Sequence, residues 1–304
     1  MIPVPDLVQA LDIGLRNVEN DWDELRLHVT DLAVGLPIGD GGMCHRSLWL
    51  RLQGAEKLPL SIGKLMMFDH GHRIQERVEG LLRVGIGSGD WELVDEPISH
   101  KGVFLPGNIT GEYDAKLVNH EEQLTLILDY KTARGRAFGW LDKPRESHVL
   151  QVQGYIRALD ADGGLLLYVD REGQNKPIQH FVPRDDDKVI AAAKVAMDIR
   201  QSKDAPPVLF PRVRIGKNKG PDSVRLEQPW QCDYCDFRDV SCPGALPYDE
   251  RDLGIVGYIS KPDGLYMPKE GLEGLTTKVI PLVNEELDRL FEKEAESEYL
   301  SKAN

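Results

Sequence analysis

An α/β fold with a central mixed sheet flanked by helices is predicted by the order in which two periodicities alternate along the 304 residues. A long stretch of period 3.6 is followed by three strand-like stretches, then by helix, strand, strand and helix. Composition agrees with a packed chain: 41% hydrophobic, 29% charged and 7% aromatic residues exclude disordered and collagen-like classes. The length is about twice a ~150-residue modal domain, which allows one large or two small domains.

The elements follow in chain order. Leu7, Leu11, Leu15 and Val18 give residues 6–22 a weak helical period. Residues 63–84 carry one apolar stripe through Ile74, Val78, Leu81 and Leu82, and the glycines of GIGSGD (85–90) end it. Strands are expected at 102–105, 112–118 and 124–131, the last two by clean alternation. A helix at 146–159, an apolar strand at 165–169, a strand at 178–182 and a helix at 185–202 complete the core. Residues 205–231, rich in Pro, Gly and Lys, read as an irregular connector, and 282–300 as a final acidic helix. The expected division is therefore an N-terminal helical segment (1–40), a core (41–205), a connector with a cysteine cluster (206–245) and an acidic tail (246–304).

The longest apolar runs, 65–68 and 165–169, fall far short of the ~20 residues a membrane helix needs. The opening MIPVPDLVQALDIG lacks a basic stretch followed by a continuous apolar one, so no signal peptide is expected, and the expectation is a soluble cytoplasmic protein with no membrane partner. A net charge of −13 argues against a surface coated for nonspecific duplex binding. Locally the balance reverses: Arg212, Arg214, Lys217 and Lys219 stand within eight residues without an acid, a candidate track for phosphates. The last sixty residues, with 13 acids and 7 bases, suit a solvated face or a protein partner.

Only four cysteines occur, Cys44, Cys232, Cys235 and Cys242, and three of them form C-x2-C-x6-C. Without an export signal, a metal or cluster site is the better reading than disulfides. One four-thiolate site would use all four. The single C-x2-C and the Cys242-Pro243 ending favour an iron–sulfur cluster, with tetrathiolate zinc as the alternative.

The densest chemical text is GNITGEYDAKLV (107–118) followed by LTLILDYKTARGRAFG (124–139). Alternation places Glu112, Asp114 and Lys116 on one face of the first strand. On the second, Asp129 and Lys131 share a face, and Leu124, Leu126, Leu128 and Tyr130 take the other. Two carboxylates converging at a sheet edge make a hard oxygen site for Mg2+ or Mn2+, and a neighbouring lysine can stabilise charge on a phosphate under attack. The simpler alternative is a solvent-facing salt bridge. Arg134 and Arg136 follow Lys131 directly and are expected to grip phosphates, with Phe138 and Trp140 available to stack a base.

Asp114, fourteen residues and Asp129-Tyr130-Lys131 resemble the signature of the PD-(D/E)XK nuclease superfamily. Gln151 and Tyr155 look like the Q-x3-Y motif of its RecB-type branch. Cys44-His45-Arg46 before the core and the three later cysteines look like the split ligands of its iron–sulfur exonucleases, including those associated with CRISPR adaptation and their phage relatives. Residues Phe68 to Glu76 resemble that branch's first helix, with Gln75 where its Gly-x3-His motif has a metal-binding histidine; His72, one turn earlier, is the other candidate. The resemblance spans roughly residues 40–245.

It implies a restriction-endonuclease-like core with a [4Fe–4S] subdomain held by Cys44, Cys232, Cys235 and Cys242. It implies that Asp114, Asp129 and the Tyr130 carbonyl hold Mg2+ or Mn2+, the shell being completed by Gln75, His72 or water. Lys131 would position or deprotonate the attacking water, Gln151 would orient Lys131 or the strand, and Tyr155 would touch DNA. The implied activity is hydrolysis of single-stranded DNA ends, as DNA recombination, repair or spacer acquisition would use. The rivals are a DNA-binding adaptor that keeps the fold without catalysis and a structure-specific endonuclease.

Overall fold

A computed structural model describes residues 15–16, 25–86, 90–94, 102–139, 141–209, 212–215, 224–227, 229–244, 257–260 and 265–268. The chain forms two compact units, Met1–Pro206 and Pro207–Asn304. In the first, β1 (Leu27–His28) runs into a 3-10 helix (Val29–Gly35), then α1 (His45–Leu52) and α2 (Ile62–Ile86). Strands β2 (Trp91–Leu93), β3 (Gly102–Leu105), β4 (Ile109–Glu112), β5 (Ala115–Asn119) and β6 (Leu124–Ala133) follow. A single turn, α3 (Gly135–Phe138), leads to α4 (Glu146–Leu159), β7 (Gly163–Asp170), β8 (Ile178–Pro183) and α5 (Asp186–Gln201).

The main sheet has the order β2-β5-β6-β7-β8. It is mixed: β6 and β7 run parallel, and the other neighbours are antiparallel. A parallel pair needs a crossover long enough to return the chain, and α4 supplies it. Helix α4 spans the residues its apolar period marks out, and it ends on Asp160 in the left-handed conformation. Helix α5 starts where Asp185 accepts a hydrogen bond from the Lys188 N–H at 3.1 Å, which satisfies one of the open donors of its first turn. No helix among the described residues is long and apolar enough to cross a membrane.

Both faces of the sheet are covered. On one, Ile127, Leu166, Tyr168 and Val182 pack with α4, α5 and the 3-10 helix. On the other, Leu93, Ala115, Leu117, Leu128 and Tyr130 pack with Val78, Leu82 and Ile86 of α2. Helix α4 lies close on the sheet because Gly164 has no side chain. A Cβ there would collide with Val152 Cγ1 and stand 3.2 Å from both the Ile127 carbonyl oxygen and Ile156 Cδ1.

The expected strand at 112–118 is in fact two. Strand β4 ends at Glu112 in a three-stranded sheet ordered β1-β4-β3, and β5 begins at Ala115 in the main sheet. Glu112, Asp114 and Lys116 therefore do not share one strand face, and Asp114 occupies the joint between the two sheets. The 3-10 helix, unforeseen in the sequence, is anchored by a reciprocal cap. The His28 N–H donates to Asp31 Oδ2 at 2.7 Å, and the buried Asp31 also pairs with Arg51.

The second unit contains two hairpins, β9 (Arg212–Ile215) with β10 (Val224–Glu227) and β11 (Gly257–Ser260) with β12 (Leu265–Pro268), and a short helix α6 (Trp230–Asp233). The first hairpin lies where an irregular connector is expected. The helix expected at 282–300 lies outside the described residues, as does all but 15–16 of the one at 6–22.

Candidate active site

The site is built where β5 and β6 come together. Ala115 pairs with Leu128, so Asp114 arrives beside Asp129, and the Tyr130 N–H donates to Asp114 Oδ2 at 2.7 Å. Alternation along β6 then places Asp129 and Lys131 on the α4 side. Lys131 Nζ stands 2.7 Å from Asp129 Oδ2. This oxygen belongs to a residue only 1% exposed, and Lys131 is its partner there.

Burial sets the electrostatics. It pushes the Asp114 carboxyl up to about 7, and the neighbouring charge of Asp129 pushes the same way. Lys131, the Tyr130 N–H and a hydrogen bond from the Gln75 side chain oppose it. Asp129 is likewise raised by burial against the pull of Lys131. For Lys131 burial disfavours the ammonium, but Asp129 and Asp114 outweigh it and hold the group above its ordinary value. Lys131 stays charged beside two carboxylates whose ionisation leaves an excess of negative charge.

Gln75 and His72 part company on α2. Gln75 is half-buried and reaches Asp114, whereas His72 is exposed. Helix α4 brings in Gln151 and Tyr155, one turn apart. The Gln151 amide donates from Nε2 to the Tyr155 hydroxyl at 3.0 Å, and it makes no direct bond to Lys131. Tyr155, expected to touch DNA, is 3% exposed, a core residue whose hydroxyl holds Gln151. The Tyr130 ring lies on the opposite face under α2, near the Glu79–Arg83 ion pair, with its hydroxyl buried and unpaired.

Two residues escape a reading by motif. His148 Nδ1 lies 2.9 Å from the Tyr168 hydroxyl, and the Arg145 N–H donates to that hydroxyl at 3.1 Å. Tyr168 pairs in register with Lys131 on the adjacent strand. The available signals were faint: a histidine three residues before Gln151, and one hydroxyl in an apolar strand.

The expected phosphate contacts are dispersed. Arg134 is exposed and 3.8 Å from Glu172 Oε1. Phe138 is 3% exposed and packs in the core, which removes it as a base-stacking platform. The Arg136 side chain, Trp140, the side chains of Arg212 and Arg214, and Lys217 and Lys219 lie outside the described residues.

Cys44 is half-buried at the N-cap of α1, in the first unit. Cys232, Cys235 and Cys242 belong to the second unit, on α6 and the turns after it. The Cys235 N–H donates to the Cys232 carbonyl at 3.3 Å, the Cys242 N–H to the Phe237 carbonyl at 2.9 Å, and the Gly244 N–H to Cys242 Sγ at 3.5 Å. Among the described residues, no group of three or more His, Cys, Asp or Glu side chains is gathered to hold a metal ion. The carboxylate pair makes no such trio. Its further oxygens are the Gln75 amide and the main chain of Tyr130, a set suited to a hard cation that keeps several waters.

No family model and no curated protein matches the chain. Among solved structures, it is similar to a protein designated SSO0001, at 19% identity and a TM-score of 0.47, over 80% of this chain and 98% of that one. It is also similar to an alkaline exonuclease from Laribacter hongkongensis, at 10% identity and a TM-score of 0.41, over 58% and 86% of the two chains. A phage-related exonuclease from Haemophilus somnus 129PT matches at 17% identity and a TM-score of 0.42, over 59% and 94%.

Proposed function

We propose that the chain is a metal-dependent DNA nuclease of the PD-(D/E)XK type, with a restriction-endonuclease-like core, acting as an exonuclease on single-stranded ends. The observation that carries this reading is the juxtaposition of Asp114 and Asp129 at one strand junction, with Lys131 Nζ 2.7 Å from Asp129. Two neighbouring carboxylates, one buried and one half-buried, are costly unless a cation shares them. Lys131 neutralises only one of their charges.

Asp114, Asp129, the Tyr130 carbonyl and Gln75 would hold Mg2+ or Mn2+. The ion when bound supplies Lewis-acid polarisation of the phosphate and an activated water. Lys131 stabilises the negative charge that builds on the phosphate oxygens, aided by the low dielectric of its surroundings. Gln75 fixes the orientation of the Asp114 carboxylate through its hydrogen bond, and the Gln151–Tyr155 pair of α4 stands near Asp129. The order of the sequence motifs supports the single-strand exonuclease assignment. Cys44, Cys232, Cys235 and Cys242 would hold a [4Fe–4S] cluster of structural role, the Gly244 N–H being a donor suited to a Cys242 thiolate.

The test is cleavage of end-labelled linear and circular single-stranded DNA in Mg2+ or Mn2+, with thermal melting in the same buffers and in a chelator. Linear DNA should be shortened, circular DNA left intact, and the melting temperature raised by either ion. Cutting of circles would reassign the chain to endonucleases. Binding without cleavage in both ions would leave the adaptor reading. Iron analysis should give about four iron atoms per chain and Cys235→Ser should bleach the protein; zinc in a colourless protein would overturn the cluster.

A further inference from the structure

Tyr168 and His148 form a buried polar assembly with no place in the motifs. Tyr168 is 1% exposed, in a strand whose other side chains are apolar but for the terminal Asp170, yet its hydroxyl is engaged twice. It accepts from the Arg145 N–H at 3.1 Å, at the residue that caps α4, and meets His148 Nδ1 at 2.9 Å. A phenol has one proton to give and two lone pairs. The Arg145 N–H can only donate, which leaves the phenol proton free to go to His148 Nδ1, the neutral imidazole then carrying its own proton on Nε2. Burial, reinforced by the charges of Lys131 and Arg145, keeps that ring neutral by pushing it down to about 3.

The second lone pair of the hydroxyl remains. In the parallel pairing of β6 and β7, Lys131 and Tyr168 are register partners, so their side chains leave the sheet together on the same face. The Tyr168 ring has little freedom: His148 lies at a ring-centroid distance of 5.7 Å and His180 edge-on at 5.8 Å. His180 is itself tied down, its Nε2 lying 3.0 Å from the Leu141 carbonyl oxygen.

We propose that Tyr168 and His148 are positioning residues, the Tyr168 hydroxyl presenting its remaining lone pair to Lys131 and so fixing where that ammonium stands relative to Asp129. The role of this position in catalysis rests on the nuclease reading; the position itself does not. One hydroxyl thereby aligns three parts of the site: the lysine on β6, its own strand β7, and the start of the helix that carries Gln151. Lys131 would then have a second partner beside Asp129 Oδ2, and would keep a seat when the carboxylate is engaged elsewhere.

The variants are chosen to remove atoms without removing packing. Tyr168→Phe keeps the ring between the two imidazoles, and His148→Asn puts an amide oxygen near the Nδ1 position, whereas His148→Ala leaves the hydroxyl proton without an acceptor. Tyr168→Phe and His148→Ala should each lower kcat about tenfold, the net worth of one hydrogen bond, with KM for the oligonucleotide unchanged. His148→Asn should restore most of the rate. Independently of cleavage, NMR of the full chain at neutral pH should show the His148 Nδ1 resonance moving downfield in Tyr168→Phe. The Lys131 Cε–H resonance, assigned by its loss in Lys131→Met, should move with it. Unchanged kcat together with an unmoved Lys131 resonance would overturn the proposal. A wild-type protein that cleaves nothing, yet whose Lys131 signal responds to Tyr168→Phe, would overturn the nuclease reading and uphold the positioning.

Discussion

On one face of β6, Leu128 and Tyr130 close against α2 with Leu93, Ala115 and Leu117. On the other, Asp129 and Lys131 stand among Ile127, Leu166 and Tyr168 as a charged pair. The two faces are made by alternate residues of the same ten, so the backbone is common and only the side chains differ. The apolar face gains stability with every atom removed from water. The charged face must offset the desolvation of a carboxylate that is 1% exposed and lifted by that burial above its usual range. A protein keeps such a face for what the charges do.

The largest effect should come from the charged face. Asp114→Ala, Asp129→Ala or Lys131→Ala should each lower the rate of DNA cleavage by ~10²–10³, the usual loss for one well-placed transition-state contact. Circular dichroism should show each variant still folded. An equal loss from a surface change such as Glu172→Ala would break the contrast. Leu128→Ala should do the reverse, costing about 2–5 kcal/mol in urea unfolding while leaving the rate per folded molecule intact.

Gln75 links the two faces, since it belongs to the helix over the apolar side yet bonds to Asp114. Gln75→Ala should slow cleavage about tenfold, as the loss of one hydrogen bond to a carboxylate predicts, and His72→Ala, on an exposed residue, should leave it unchanged. Equal rates for all three proteins would show that Gln75 is a bystander.

The smallest effect is one of pH. The Asp114 carboxyl releases its proton near its ordinary 3.8 when unfolded and at about 7 when folded. Between those values the folded chain holds more protons, so metal-free stability falls as pH rises from about 4 to about 7 and this group adds no further change above. The fall is on the order of 1 kcal/mol for a half-buried group screened by solvent. Urea midpoints at pH 5 and 8 in chelator measure it. Asp114→Asn should flatten the slope and stabilise the metal-free protein at pH 8.

The division between the faces was legible because alternation in LTLILDYKTA is a local property, and α4 was legible because its apolar period runs unbroken from 146 to 159. The break at Tyr113–Asp114 was not. Alternation continues through it, with Tyr113 and Ala115 both buried, although the chain passes from one sheet to another. Which strand a residue pairs with is decided by partners distant in sequence, here Leu27 for Ile109 and Leu128 for Ala115. Tyr168 was hidden for the same reason, since its tie to His148 is made only when β7 lies beneath the start of α4. The side chain of Gln75 could be placed on a helix from the sequence, but its bond to Asp114 depends on how α2 seats against the sheet.

The bare backbone at Gly164 bears on how this site could be altered by selection. Helix α4 rests directly on the sheet there, so the height of Gln151 and Tyr155 above Asp129 is set by an atom that is missing rather than by any group touching the site. Gly164→Ala would wedge the helix outward between Val152 and Ile156 and tilt its polar side away from β6, without changing a single charged residue. A mutational screen confined to the lining of the site would pass over this position. One that follows the contact between helix and sheet would find a control on the spacing of the whole constellation, two residues from the nearest polar side chain.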